Sequence, residues 1–164
     1  MLLLSGPTAS GKNTVARELA FQLSRCAVVD FDAIRAMFVH PHKTPWNGSE
    51  GLSQQHLGVQ MVCDIARRFE SAGWSVVILD VLSRQTLTLY KRRLNDANLK
   101  IVQLLPTYEE VRRRFDTRGA VLTHEQLEDV YRKQLELTGW GLRVDNSTLS
   151  PSDVVERLLE FWQG

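Results

Sequence analysis

Gly6-Pro7-Thr8-Ala9-Ser10-Gly11-Lys12 has the spacing G-x-x-x-x-G-K and runs on into Asn13 and Thr14. Two glycines let a backbone curl until several N–H groups converge on one point. A helix that starts there adds the positive end of its dipole. The lysine supplies a mobile cation for outer phosphates. The chemistry is phosphate binding, and Gly6 to Thr14 form the candidate nucleotide site. Asn13 stands where a Ser or Thr hydroxyl would ordinarily reach a magnesium ion. Asparagine also offers an oxygen, and Mg2+ keeps water in its shell. The expectation is therefore a water-mediated metal site at Asn13.

Asp30-Phe31-Asp32 closes an apolar run. Alternation along a strand would put both carboxylates on one side, beside the phosphate loop. Asp30 could then hold the water shell of the metal. Asp32 could take a proton from a hydroxyl as that hydroxyl attacks a γ-phosphate. Arg35 lies one helical turn further on and shares that face. The competing reading makes Asp32 a helix cap that pairs with Arg35 at the surface. Val76-Val77-Ile78-Leu79-Asp80 delivers one acid at a strand end, either as a metal- or water-ordering group or as a cap, and Arg84 follows at the same edge. In RRRFDTRG, residues 112–119, Arg114 and Arg118 are four apart. Such a pair can close over a triphosphate and neutralise transition-state charge. Arg112 and Arg113 read as solvated.

These residues need elements to position them. Apolar runs at 1–5, 26–32, 75–80, 99–105 and 141–147 read as strands. Helical stripes separate them: Val15, Ala16, Leu19, Ala20 and Leu23; a short helix over 32–38; Leu57, Met61, Ile65, Phe69 and Ala72; and a helix over 86–97. Thr107-x-x-Glu110, Thr123-x-x-Gln126 and Ser150-Pro151-Ser152-Asp153 signal further helix starts. Val111 with Phe115, and Val154, Val155, Leu158, Leu159 and Trp162, supply the buried faces of those helices. The breaker-rich HPHKTPWNGSEG reads as a loop. Strand–helix alternation with unbroken apolar strands predicts an α/β fold whose parallel sheet is covered on both faces. Ligands in such sheets bind beyond the carboxyl ends of the strands, where all the residues named above fall.

The chain has 164 residues, 43% of them hydrophobic, which suits one domain with an apolar core. A formal net charge of +1 gives no bulk argument for nucleic acid or a membrane surface. Cys26 and Cys63 offer neither a disulfide framework nor zinc spacing. No long apolar span or leader is visible, so the expected setting is the cytoplasm, without a membrane. The histidines lack metal-ligand spacing and read as loop or surface residues. No Asn-Lys-x-Asp guanine motif argues for a switch GTPase.

GPTASGKNT, DFDAIR, VVILDVLSR, EEVRRRFDTRG and VDNSTLSPSDVV occur in that order. Together they resemble the small phosphate-loop kinases that act on hydroxyls: the zeta-toxin, chloramphenicol phosphotransferase and polynucleotide kinase group. The Gly-Lys-x-Thr form is similar to that of nucleoside monophosphate kinases. The resemblance implies a three-layer phosphate-loop NTPase fold, with a five-stranded parallel sheet in the order 2-3-1-4-5 and a short lid at about 114–124. An acceptor-side loop is expected at about 38–56. By the same resemblance, Asp32 is the base, and Lys12, Arg114 and Arg118 engage the ATP phosphates. Arg35, Asp80 and Arg84 lie on the acceptor side, and the segment from Asp145 lines the adenine pocket. The expectation is an ATP- and Mg2+-dependent kinase acting on a hydroxyl of a small molecule or nucleotide-like acceptor. A 5′-hydroxyl polynucleotide kinase is the first alternative, disfavoured by the low net charge. A non-catalytic ATP-binding regulatory domain is the alternative of another class.

Overall fold

The computed structural model describes residues 1–117 and 122–164. Strands β1 (Leu2–Ser5), β2 (Cys26–Asp30), β3 (Ser75–Asp80), β4 (Lys100–Leu104) and β5 (Leu142–Val144) form one sheet in the order β2-β3-β1-β4-β5. Every pairing is parallel. This is the expected order. The helices are α1 (Lys12–Phe21), α2 (Phe31–Arg35), α3 (Gly48–Ser71), α4 (Arg84–Arg93), α5 (Tyr108–Asp116), α6 (His124–Glu136) and α7 (Pro151–Gln163).

Strand alternation sorts the apolar residues between two faces. Leu3, Val29, Val76, Ile78 and Ile101 pack under α3 and α4 with Val59, Val62, Ala66 and Tyr90. Leu2, Leu4, Val77, Leu79, Val102 and Leu104 pack under α1 and α7 with Val15, Leu19, Val154 and Leu158. A strand buried on both faces has no polar side to show, which is why these strands read as unbroken apolar runs. A third cluster joins Ala9 of the phosphate loop to Val111 and Phe115 of α5 and Leu127 of α6. Among the described residues, no helix is long and apolar enough to cross a membrane.

Several boundaries differ from the sequence reading. β2 stops at Asp30 instead of continuing to residue 32, because the Asp30 side chain turns to accept from the Asp32 N–H at 3.0 Å and caps α2. The expected acceptor-side loop at 38–56 is shorter, since α3 already starts at Gly48. Gly51 sits in the first turns of α3 under the preceding chain: a Cβ there would lie 1.9 Å from the Thr44 carbonyl oxygen. Glycine reads as a breaker in sequence; here it permits the crossing. The buried stripe of α3 is Gly51, Gln54, Gln55, Gly58, Val59, Val62, Cys63 and Ala66, and Leu57 and Phe69 of the expected stripe are exposed. Small residues hold the inner face because α2 lies close against it. α4 covers 84–93 instead of 86–97, started by a reciprocal Ser83–Thr86 capping box. Thr123–Gln126 and Ser150–Asp153 form complete capping boxes. Thr107 caps α5, but the Glu110 carboxylate bonds Arg113 and Arg114 instead of returning to the cap.

Candidate active site

Phosphate-loop geometry follows from the turn between β1 and α1. Gly6 has φ 152° and Gly11 has φ 95°, and Ala9 sits between them at φ 64°. A Cβ on Gly6 would lie 2.3 Å from the Leu104 carbonyl oxygen and 2.7 Å from Ser10 Oγ, so only glycine fits there. The backbone closes with Ser10 N–H donating to Pro7 O at 3.2 Å. Lys12 is buried and folds back across the loop, donating from Nζ to the Gly6 carbonyl at 2.8 Å and the Pro7 carbonyl at 3.0 Å.

A cavity of about 740 Å³ opens from this loop; Lys12, Asn13, Thr14, Asp30, Asp32 and Asp80 line it. Asp30 reaches it from the end of β2, Asp32 from the first turn of α2, and Asp80 from the end of β3, where it pairs in register with Ser5. The two aspartates thus meet through a cap and a helix turn, and strand alternation plays no part. Asp32 is exposed at the mouth, yet crowding raises its pKa by partial desolvation and by the charge of Asp30; Lys12 and Arg35 pull it the other way. Asp80 is buried, and desolvation raises its pKa to about 7 against the Tyr90 hydroxyl and the Val81 backbone. Asp80 Oδ2 and the Tyr90 hydroxyl interact without a well-formed hydrogen bond; among the described residues each is a buried polar atom that lacks one.

Asn13 Nδ2 donates to Asp30 Oδ2 at 3.3 Å. This turns the amide nitrogen toward Asp30 and leaves an amide oxygen beside a carboxylate at the foot of the phosphate loop. Such a set fits a hard cation that keeps most of its water. Among the described residues, no three His, Cys, Asp or Glu side chains cluster to hold a metal ion, so phosphate oxygens and water would complete the shell.

Arg114 is half-buried. It donates to Glu110 Oε1 at 2.6 Å, to the Ser10 carbonyl at 3.3 Å and to the Asn146 carbonyl at 2.9 Å, which brings α5 against the phosphate loop. Glu110 is held at a pKa of about 2 by Arg113 and Arg114. Arg118 lies outside the described residues. Arg35 is buried, packs 5.6 Å from the Phe38 ring centroid and donates to the Lys43 carbonyl; its Nη1 is a buried atom without a hydrogen bond among the described residues. Arg84 is exposed in the first turn of α4 and Asp145 is exposed after β5, and neither lines the cavity. Asp145 Oδ1 instead accepts from the Ser147 N–H at 2.9 Å and the Ser147 hydroxyl at 2.5 Å.

Asn146 falls within the segment from Asp145 expected to line the adenine pocket, but nothing in the sequence marks it out from its charged neighbour. It is 4% exposed and donates from Nδ2 to the Ser10 carbonyl at 2.9 Å, holding the phosphate loop from β5. Ser5, at the end of β1, is a second such residue; its hydroxyl accepts from the Leu82 N–H at 3.1 Å. Both sit at strand ends, the signal that found the other residues.

A family model described as an AAA domain matches residues 1–137. No curated protein matches the chain. Solved structures similar to it include a sugar kinase from a Janibacter species, 18% identical with a TM-score of 0.76 over 99% of this chain and 93% of that one. A shikimate kinase from Acinetobacter baumannii in complex with shikimate is 20% identical, with a TM-score of 0.63 over 97% and 90%. The tunicamycin resistance protein of Deinococcus radiodurans is 16% identical, with a TM-score of 0.71 over 97% and 93%. At these identities the likeness establishes the fold.

Proposed function

The chain belongs to the AAA domain family, and from that premise we propose that it is an ATP-dependent kinase transferring the γ-phosphate to a hydroxyl of a small-molecule or nucleotide-like acceptor. The observation that carries this reading is the meeting of Lys12, Asn13, Asp32 and Asp80 in one cavity at the phosphate loop. The loop N–H groups and Lys12 hold the β- and γ-phosphates. Arg114, already on the rim at Ser10, adds charge from the lid side, and Arg118 is proposed to join it. Asp32 takes the proton from the attacking hydroxyl, and its raised pKa makes it a better base than an ordinary aspartate. Bound Mg2+, held by Asn13 and Asp30 through water, would neutralise charge on the transferring phosphoryl group. Arg35 would steady the acceptor with its unpartnered Nη1, with Asp80 and Arg84 bordering the same side. Residues from Asp145 onward are proposed to face the adenine.

Three aspartates in the cavity suit a neutral hydroxyl better than an acceptor that already carries phosphate. The resemblance to the zeta-toxin, chloramphenicol phosphotransferase and polynucleotide kinase group rests on the motif order, and a sugar kinase and a shikimate kinase among the similar structures favour a small-molecule acceptor. A cytoplasmic setting fits this chemistry.

The test is label transfer from γ-labelled ATP to a panel of small hydroxyl compounds, nucleoside monophosphates and 5′-hydroxyl oligonucleotides. Transfer to a hydroxyl compound, with an acceptor KM indifferent to salt, is the expected result. A KM that climbs steeply with salt would identify a polynucleotide acceptor, because phosphate contacts release counterions. ATP bound with no transfer to any acceptor would identify a regulatory domain. Where transfer is found, Asn13→Ser should lower the Mg2+ concentration for half-maximal rate about tenfold, by placing a hydroxyl where it reaches the ion directly. An unchanged Mg2+ curve would remove Asn13 from the metal site.

A further inference from the structure

Behind the cavity wall, a chain of buried polar groups crosses the sheet edge. Gln103 lies in β4, is fully buried, and donates from Nε2 to the Gln134 carbonyl at 2.8 Å. Gln134 lies near the end of α6, is 2% exposed, and donates from its own Nε2 to the Leu82 carbonyl at 2.5 Å. The Leu82 N–H is held in turn by Ser5 Oγ at 3.1 Å. Both backbone groups of Leu82 are therefore committed, one to the end of β1 and one to α6. Leu82 is two residues past Asp80, in the segment joining β3 to α4, and Val81 between them lines the cavity with Asp80. Ser5 and Asp80 are register partners, as are Ser5 and Gln103.

Packing alone does not call for this arrangement. Leucine or methionine would fill the same space, and a buried amide costs free energy unless it is bonded. The amide hydrogen bonds fix a direction, and the direction fixed is that of the backbone leaving Asp80. We propose that Gln134 is a positioning residue for Asp80: by holding the Leu82 carbonyl to α6, it sets where the Asp80 carboxyl sits in the cavity. This rests on the kinase reading for its consequence, though the contact itself does not depend on it. Gln134 touches neither nucleotide nor acceptor in this account.

The test uses Gln134→Met, which keeps length and volume and leaves the Gln103 bond to the residue-134 backbone carbonyl intact, while removing the Leu82 bond together with the longer 3.3 Å bond from Gln103 Nε2 to Gln134 Oε1. Phosphoryl transfer should fall about tenfold in kcat, the scale of one buried hydrogen bond, with KM for ATP unchanged. In an Asp80→Asn background the same change should have almost no further effect, because its route runs through Asp80. An equal loss in both backgrounds would overturn the proposal and leave Gln134 a general structural residue. Amide hydrogen exchange on the same variants decides the matter even if no transfer is found. Faster exchange confined to residues 81–83 supports the tether; unchanged exchange there, or a loss of protection spread over the sheet, overturns it. Absence of transfer in the unaltered protein would count against the kinase reading alone.

Discussion

Asp32→Asn should lower phosphoryl transfer about a thousandfold, the middle of the range for a general base, while ATP binding is retained. The substitution keeps the shape of the side chain. It also keeps the contact that Asp32 makes with Asp30, which runs through the residue-32 N–H and not through the carboxyl. What it removes is the proton acceptor at the mouth of the cavity. In the unaltered protein the rate should rise with pH through the Asp32 pKa, which desolvation and Asp30 place above the ordinary aspartate value. In the asparagine variant that limb should vanish. Stopped-flow or label-transfer rates across pH, with ATP affinity measured separately, read both effects. A variant that transfers at the original rate would make Asp32 a first-turn acid of α2 and nothing more.

Asp80→Asn should make the protein more stable above neutral pH, with a gain of at most about 4 kcal/mol at pH 8. The sign follows from linkage. Burial raises the folded-state pKa of Asp80 from 3.8 to about 7. Between these values the unfolded chain has lost this proton and the folded chain still holds it, so stability falls as pH rises through that window and levels off above it. Asparagine has no proton to lose, and its advantage should shrink to almost nothing below about pH 4. Denaturant unfolding at several pH values measures the gap. Equal stability at pH 8 would mean that Asp80 ionises as readily when folded as when unfolded. The gain should come with poorer phosphoryl transfer: an acid kept in an apolar wall at a cost in stability is the pattern expected of a functional group.

The architecture was legible because its signals were local and redundant. Five apolar runs, each followed by a helix, leave little choice but a parallel sheet, and strand ends then mark the site. Lys12 and Asn13 stand out by the G-x-x-x-x-G-K spacing, and Asp32 and Asp80 by their places at strand ends. What the sequence hid depended on bonds between distant segments. Asn146 looks less informative than its charged neighbour Asp145 until its amide is seen on Ser10. Gln103, one polar residue inside an apolar strand, is a cue to a buried partner, but nothing in the sequence names Gln134 as that partner. Gly51 reads as part of the breaker-rich loop, whereas it lies with Gly58 on the buried face of α3. The short helix expected over 32–38 is present as α2, but its start at Phe31 and its cap at Asp30 stay hidden, because the strand and helix patterns overlap there and one capping bond decides the boundary.

The strand order also sets a timetable for biosynthesis. β1 is made first but lies at the centre, and Leu3 must wait for Ile78 and then for Ile101 before both its edges are paired. A growing chain thus carries an apolar segment, Met1 to Leu4, that has no strand partner until β3 is complete at Asp80, and only one until β4 follows. The phosphate loop waits longer still. Its seven-residue motif is complete at Lys12, yet Gly6 nestles against the Leu104 carbonyl and Ser10 is held by Asn146. Closing contacts across such lengths of chain is slow. The phosphate loop, the first of these motifs in the sequence, is therefore among the last parts of the molecule to close, and the proposed ATP site is incomplete until β5 and the Asn146 that follows it have emerged.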